Sequence, residues 1–280
     1  MTVLSFHPIY VADRNRLCAG RDPDEADLEA IRESRAVILP QGCRRSLYEM
    51  ASRHCRLVFP NYKARFEFPG KIGQSRLFQK SGFPHPRTET FADVDDFNRR
   101  HPPSGPRAPL HFPFVFKFDW GGEGDTVFLV ESPAAFKDLI RRADDYERSG
   151  HRGFLVQELI SSGRRVLRVA VIGRQLISYW RVATPKGSFT VNLAGGGTVN
   201  RHDDPHLITA AEQATREFCR RTGINLAGFD FLFRSNPPDT TPFFLEINYF
   251  FGRRGLGGSE AYYRLLTCEI DRWLADVRDR

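Results

Sequence analysis

Two apolar segments near the C-terminus, LAGFDFLF (226–233) and FFLEINYF (243–250), carry three oxygen-bearing side chains in their interiors: Asp230, Glu246 and Asn248. They flank the loop RSNPPDTTP (234–242), centred on residue 238. A hairpin closing symmetrically there sets Asp230 directly opposite Glu246. Because side chains alternate along a strand, Glu246, Asn248 and Asp230 then share one face, and Phe229, Phe231 and Phe233 fill the other. Two facing acids among apolar neighbours repel each other and resist desolvation. A shared proton, an arginine or a divalent cation would relieve them. Two carboxylates and an amide carbonyl form a hard oxygen set that suits Mg²⁺, an ion that keeps positions open for water and phosphate oxygens. A salt-bridged pair is the competing reading, and a slip of one residue in register would scatter the set.

Two further groups of residues have chemical potential. RVLRVAVI and QLISYWRVA flank the turn Gly173-Arg174, a hairpin pattern with glycine at the first turn position. Its register sets Arg168 against Tyr179, with Arg181 as diagonal neighbour on the same face. Such closely spaced cations invite a polyanion, or else lie on a wet sheet face. In FVFKFDWGGEGD, Lys117 sits on a strand whose other face carries Phe114, Phe116 and Phe118, and a turn with Gly121, Gly122 and Gly124 follows. Glycine turns let backbone amides approach phosphates, and a lysine adds a compact positive charge. The lysine precedes the glycines and no helix follows, so this is not a P-loop.

The elements that must position these residues follow from the same chain. In residues 1–70 the segments TVLSFHPIYV, AVILP and RLVFP read as strands, and DPDEADLEAIRES and RSLYEMASRH as helices. Strand–helix alternation predicts an open parallel sheet whose ligands gather at the carboxyl ends of its strands, here the loops HPIYVADRNR and PQGCRRS. GKIGQSRLFQKSGFPHPRT is a helix ending at Gly82, and PPSGPRAPLHFP (102–113) a connector. Strand–loop–strand–helix–strand follows, as far as GFLVQELI. From 163 onward the pattern is antiparallel, with helices at about 205–222 and 259–277.

Composition narrows the classes. The 280 residues, 41% hydrophobic with 24 Phe, suffice for one large domain or two to three lobes. No run approaches the roughly 20 apolar residues of a membrane span, and MTVLSFHPIYVADRNR lacks the pattern of a leader, so a cytoplasmic location is expected. The five cysteines are scattered without metal-ligand spacing and read as reduced thiols. A formal charge of +7 favours anionic ligands such as nucleotide phosphates or carboxylates, while the dispersal of the basic residues argues against nucleic acid.

In this order the segments resemble the ATP-grasp superfamily, most closely its RimK-like and glutathione-synthetase-like carboxylate–amine ligases, from about Lys71 to the C-terminus. GKIGQSRLFQKSGFPHPRT resembles the lysine, helix and P-x-T segment. FPFVFKFDWGGEGDTVFLV resembles the lysine strand and phosphate-covering glycine loop, and FLVQELI the Q-E-x-I strand. RVLRVAVIGRQLISYWRV, VNLAGGG and GFDFLF…FFLEINYFFGRRGLGG resemble D-x-R-x-x-V-x-G…R, N-x-x-x-G-G and G-x-D…E-x-N-x-x-P-G. The resemblance implies an α/β ATP-grasp fold: a short N-terminal pre-ATP-grasp lobe (1–70) and an ATP-grasp domain (71–280) with a lid at about 109–156 and a C-terminal subdomain at about 157–280. It implies ATP with one or two Mg²⁺ ions, Mn²⁺ serving as substitute. Lys71, Lys117, Gly121, Gly122 and Gly124 would touch phosphates, and Gln157, Glu158, Leu159 and Ile160 would hold adenine. Asp230, Glu246 and Asn248 would bind the metal; Arg168, Arg181 and Asn192 would face the γ-phosphate and the reacting acid.

Two departures stand out: Val166 replaces an acid, and YFFGRRG replaces the proline-glycine stretch. Arg253, Arg254 and His7 are candidate substrate contacts. The implied activity is an ATP-dependent carboxylate–amine (or thiol) ligase that forms an acyl phosphate. Its partners would be a small-molecule or peptide carboxylate and an amine, with no nucleic acid or membrane, and a homo-oligomer is left open. A kinase-like phosphotransferase and a non-catalytic nucleotide-binding protein are the alternatives. Neutralising Asp230 or Glu246 is expected to abolish turnover with the fold intact.

Overall fold

The computed structural model describes residues 2–102, 108–122, 124–183, 197–235 and 239–278. Strands β1 (Val3–Ser5), β2 (Arg14–Asn15), β3 (Ala36–Ile38) and β4 (Leu57–Phe59) form a parallel sheet in the order β2-β1-β3-β4. Helices α1 (Glu25–Arg32) and α2 (Arg45–His54) connect them. The α1 start is a capping box: the Asp24 carboxylate accepts from the Asp27 amide, and the Asp27 carboxylate accepts from the Asp24 amide. This is the alternation expected from sequence. The two exposed residues of β2 were not foreseen, because so short a strand carries no periodicity.

Helix α3 (Lys63–Glu67) leads to α4 (Gly70–Ser81), which stops at Gly82 in the left-handed region (φ 68°). Next come β5 (Thr88–Phe91), α5 (Val94–Arg100), β6 (Phe114–Phe118), β7 (Val127–Val130), α6 (Pro133–Arg148) and β8 (Phe154–Glu158). The four strands make a small antiparallel sheet, ordered β5-β8-β6-β7. Phe114, Phe116, Phe118, Phe154 and Val156 on one face pack with Phe97 and Phe136 from α5 and α6. Burying each such ring contributes on the order of 2 kcal/mol. The other face carries Lys117, Gln157 and Thr88.

Strands β9 (Arg165–Ile172), β10 (Gln175–Val182) and β11 (Thr198–Asn200), helix α7 (Pro205–Thr222), strands β12 (Leu226–Leu232) and β13 (Phe243–Asn248), and helix α8 (Gly258–Arg278) complete the chain. The strands form a large antiparallel sheet, β11-β10-β9-β12-β13. Leu167, Val169, Phe229 and Phe231 bury one face together with Phe78 of α4 and Phe218 of α7. On the opposite face, Ala170, Ile172 and Leu226 pack with Tyr262, Leu266 and Ile270 of α8 and with Val3, Ala36 and Ile38 of the parallel sheet. Helix α8 thus covers one half of this face; the half bearing Arg168, Arg181, Asp230, Glu246 and Asn248 lines a cavity instead. Among the described residues no helix is long and apolar enough to cross a membrane.

Candidate functional site

Both hairpin registers read from sequence are present. Arg168 pairs with Tyr179, and Asp230 with Glu246. The symmetric register holds from Gly228↔Asn248 to Asp230↔Glu246 and then shifts to Phe231↔Phe244, a bulge that leaves Leu245 as the extra residue. Leu245 and Glu246 both line the cavity.

A third pairing, beyond the reach of local sequence, decides the electrostatics. Strand β9 also pairs with β12, which sets Arg168 opposite Asp230. Sequence reading expects a polyanion between Arg168 and Arg181; the group found there is the Asp230 carboxylate. Arg168 Nε donates to Asp230 Oδ1, and Arg168 Nη2 to Oδ2 at 2.8 Å. Arg181 Nη2 lies 2.6 Å from Oδ2, and Asn248 Nδ2 donates to it at 3.2 Å. Burial of Asp230, the larger influence, would raise its pKa, but Arg168 and Arg181 together hold it below the usual carboxylate range. Burial likewise opposes the Arg168 charge, and Asp230 more than compensates, so its pKa is raised. Gly228 makes room for this arrangement, since a Cβ there would lie 2.9 Å from Arg168 Cδ and Nη1.

The set proposed for a metal is therefore divided. Asp230 is already taken by two arginines. Glu246 makes no hydrogen bond or ion pair among the described residues, and the Asn248 amide uses only its NH₂ group, toward Asp230. Among the described residues no group of three His, Cys, Asp or Glu suited to a metal is present. What is present is a free carboxylate and an amide carbonyl on one wall, with Asp230 beside them. Among the described residues the buried Arg181 Nε has no hydrogen-bond partner. An orphaned cationic N–H and a free carboxylate in the lining of one cavity fit an anion accompanied by a hard cation, which is the chemistry of a metal–polyphosphate.

Across the cavity, Lys117 Nζ donates to Gln157 Oε1 at 2.7 Å. Burial lowers the Lys117 pKa to about 8; Glu246 counteracts this in part. Lys71, at the start of α4, donates to the carbonyls of Trp120 (3.0 Å) and Gly121 (3.1 Å), and its pKa is lowered, again mainly by burial. It is thereby bound to the glycine turn, where Gly121 and Gly124 have positive φ (80° and 90°). Gly122 and Gly124 line the cavity. Gln157, Glu158, Leu159 and Ile160 all line it too; the Gln157 amide turns toward Lys117, and the Glu158 carboxylate pairs with Arg234 at 2.8 Å. On α4, one turn past Lys71, Gln74 clamps β13: its Nε2 donates to the Ile247 carbonyl and its Oε1 accepts from the Ile247 amide, both at 2.8 Å.

At the other end, Phe250, Arg253 and Arg254 line the cavity. Arg253 lies over Tyr263 (4.3 Å) and Tyr262 (5.0 Å), with no carboxylate at ion-pair distance among the described residues. Phe250 is 72% exposed. Gly255 allows Tyr179 to pack behind this end, since a Cβ would meet the ring at 2.1 Å. His7 is not brought to the cavity. It is buried in its own loop, where Nδ1 accepts the amides of Ile9 and Tyr10, and burial, then the charge of Arg253, lower its pKa to about 4. Asn192 lies outside the described residues.

The cavity gathers Lys71, Lys117, Gln157–Ile160, Arg168, Arg181, Asp230, Glu246, Asn248, Arg253 and Arg254 into one volume of about 910 Å³. Sequence reading does not single out Thr88, Gln74 or Gly228; Phe250 and Gly255 fall in the stretch 249–256 that the family resemblance assigns to the acceptor side. Thr88, Gln74 and Gly228 all lie inside the motifs quoted above, but none of the three carries a charge or spacing that marks it locally.

A family model described as the RimK-like ATP-grasp domain matches residues 71–264. A "Probable alpha-L-glutamate ligase" of Stenotrophomonas maltophilia (strain R551-3) is 30% identical over 160 residues, covering 57% of this chain and 48% of that protein. One of the same name from Xylella fastidiosa (strain M12) is 30% identical over 195 residues, 68% of this chain and 58% of the relative. The chain thus spans about half the length of these curated relatives. Among solved structures, a RimK domain ATP-grasp protein from Sphaerobacter thermophilus is similar with TM-score 0.62 and 16% identity, covering 96% of this chain and 99% of the other. VanG D-Ala:D-Ser ligase from Enterococcus faecalis gives TM-score 0.58 and 16% identity over 86% of this chain and 73% of that one. At these identities the structural likeness shows the fold.

Proposed function

Because the chain belongs to the RimK-like ATP-grasp family, with the family model covering more than half of it, we propose that it is an ATP-dependent carboxylate–amine (or thiol) ligase acting through an acyl phosphate. The observation that carries this is the single cavity in which two lysines, two arginines, a free carboxylate and an amide carbonyl converge. Lys71, Lys117 and the glycine turn would bind the phosphates; the backbone around Glu158, Leu159 and Ile160 would hold adenine. Glu246 and Asn248, joined by Asp230, would hold Mg²⁺ or Mn²⁺, which supplies charge neutralisation for a transferring phosphoryl group.

Arg168 and Arg181 have the larger task in this reading. A polyphosphate carries more negative charge than one carboxylate, so it draws the guanidinium groups from Asp230, and the Arg181 Nε, which has no partner among the described residues, gains one. Asp230 is thereby released toward Glu246 and Asn248. The same arginines then stabilise negative charge on the oxygen of a tetrahedral intermediate. The small antiparallel sheet serves as a lid that excludes water from an activated acid. Arg253 would anchor a carboxylate of the second substrate through forked hydrogen bonds, with Phe250 as an apolar wall beside it.

The test is a screen for ADP release over pairs of carboxylic acids, amino acids and short peptides, with and without Mg²⁺, followed by product identification. The expected result is ADP together with an amide or thioester, dependent on Mg²⁺ and on both substrates. A phosphorylated product with no need for an amine would replace the ligase by a phosphotransferase. ATP binding without ADP release across the screen would leave only a nucleotide-binding protein.

A further inference from the structure

A row of polar side chains crosses the cavity-facing side of the small antiparallel sheet, one each from β5, β8 and β6. Thr88 stands directly opposite Gln157, and Lys117 is the diagonal neighbour of Gln157 on the next strand. The hydrogen-bond directions along this row are forced. Thr88 Oγ1 donates its one proton to the Pro86 carbonyl at 2.7 Å. Toward Gln157 the same oxygen can therefore only accept, and it takes Gln157 Nε2 at 2.9 Å. That turns Gln157 Oε1 to Lys117, whose ammonium can only donate and does so at 2.7 Å. The exposures of Thr88, Gln157 and Lys117 are 9%, 6% and 9%, so bulk water does not stand in for any member.

We propose that Thr88 is a positioning residue for the phosphate-binding lysine: through the Gln157 amide it fixes the Lys117 ammonium at the cavity wall. This rests on reading the cavity as a nucleotide site. A lysine head on a four-carbon stem samples many rotamers, and a polyanion that binds it must offset the loss of that freedom. The row removes the freedom beforehand. Without the Thr88 hydroxyl, Gln157 Nε2 loses its acceptor in a buried place; the amide turns away to find another, and the ammonium loses its fixed partner.

The test uses the whole chain, with MgATP and adenosine as probes in titration calorimetry. Thr88→Val removes the hydroxyl at nearly constant volume and is expected to weaken MgATP binding roughly five- to tenfold. Adenosine, which has no phosphate to meet Lys117, is expected to change less than about twofold. Thr88→Ser restores MgATP affinity, and Thr88→Val adds no loss on a Gln157→Leu background, because the effect passes through that amide. Thr88→Ala serves as a second hydroxyl-free variant should the valine form fail to melt cooperatively. Unchanged MgATP affinity, equal losses for MgATP and adenosine, a serine variant as weak as the valine one, or multiplying effects with Gln157→Leu would each overturn the proposal. Lys117→Met separates it from its premise. If that variant loses MgATP binding while Thr88→Val does not, Thr88 alone is refuted; if Lys117→Met binds MgATP as tightly as the parent, Lys117 is no phosphate contact and the proposal falls; if the parent chain itself binds no MgATP, the nucleotide reading falls.

Discussion

The two antiparallel sheets that face each other across the cavity solve one problem in different ways. Each buries an aromatic face and turns cations toward the cavity from the other. The large sheet compensates Arg168 and Arg181 with a formal charge, Asp230. The small sheet compensates Lys117 with a neutral amide, Gln157. A carboxylate between two guanidinium groups is a deep electrostatic well that also supports the fold. An amide holds an ammonium in place while leaving its charge largely uncompensated, and so ready for an anion. On the proposed reading, the large sheet would have to be opened by its ligand, whereas the small sheet would already be set for one.

The sharpest way to break this contrast is Asp230→Ala. It leaves two buried arginines without their counter-charge, and losing one member of such a cluster costs about 3–5 kcal/mol. Melting should fall on the order of 10 °C, with turnover abolished. The sequence-based expectation of an intact fold is thus revised for Asp230. It stands for Glu246, whose replacement by Gln should move stability by less than about 0.5 kcal/mol yet reduce Mg²⁺-dependent ADP release by roughly 100-fold or more. Equal melting shifts in the two variants would remove the distinction between a structural and a ligand-facing acid.

Next in size is the pH response of the small sheet. Lys117 in the folded chain loses its proton near pH 8, well below the value of an ordinary lysine. MgATP affinity should fall about tenfold between pH 7 and 9 as that cation disappears, and Lys117→Arg should flatten the profile. Stability of the ligand-free protein should move the other way. Below about pH 8 both folded and unfolded chains carry the proton, and the burial penalty is present in full. Between there and the unfolded lysine value near 10.5, only the unfolded chain binds it, so stability rises with pH. Melting curves across that window check the sign. The smallest effect is expected at Phe250, where Ala should leave stability unchanged within about 0.5 kcal/mol but weaken an apolar amine substrate roughly threefold, read as KM in the product assay.

Much of the site was legible because it depends on local rules. Strand parity and hairpin closure placed Asp230 opposite Glu246 and Arg168 opposite Tyr179, as found. The parallel N-terminal sheet followed from alternating strand and helix patterns. What could not be read was the partner of Asp230. It comes from pairing β9 with β12, strands separated by β10, β11 and α7, and neither strand's sequence marks that choice. The same holds for His7, whose loop folds over its own ring, and for Gln157, whose side chain serves a lysine on the neighbouring strand. Strand β5 and helix α5 leave no mark in the sequence, because four or seven residues beside a proline-rich stretch give too few turns of any period.

The clamp between Gln74 and Ile247 bears on how the molecule behaves among its own copies. A sheet normally ends in a row of unsatisfied main-chain groups that a foreign backbone can join. At the outer border of β13 the Gln74 amide imitates one residue of a further strand, and Pro84 takes the Phe244 N–H at 2.8 Å. The ladder finishes within its own molecule, and a stretch as apolar as FFLEI is denied to intermolecular β-stacking by one side chain and one main-chain carbonyl.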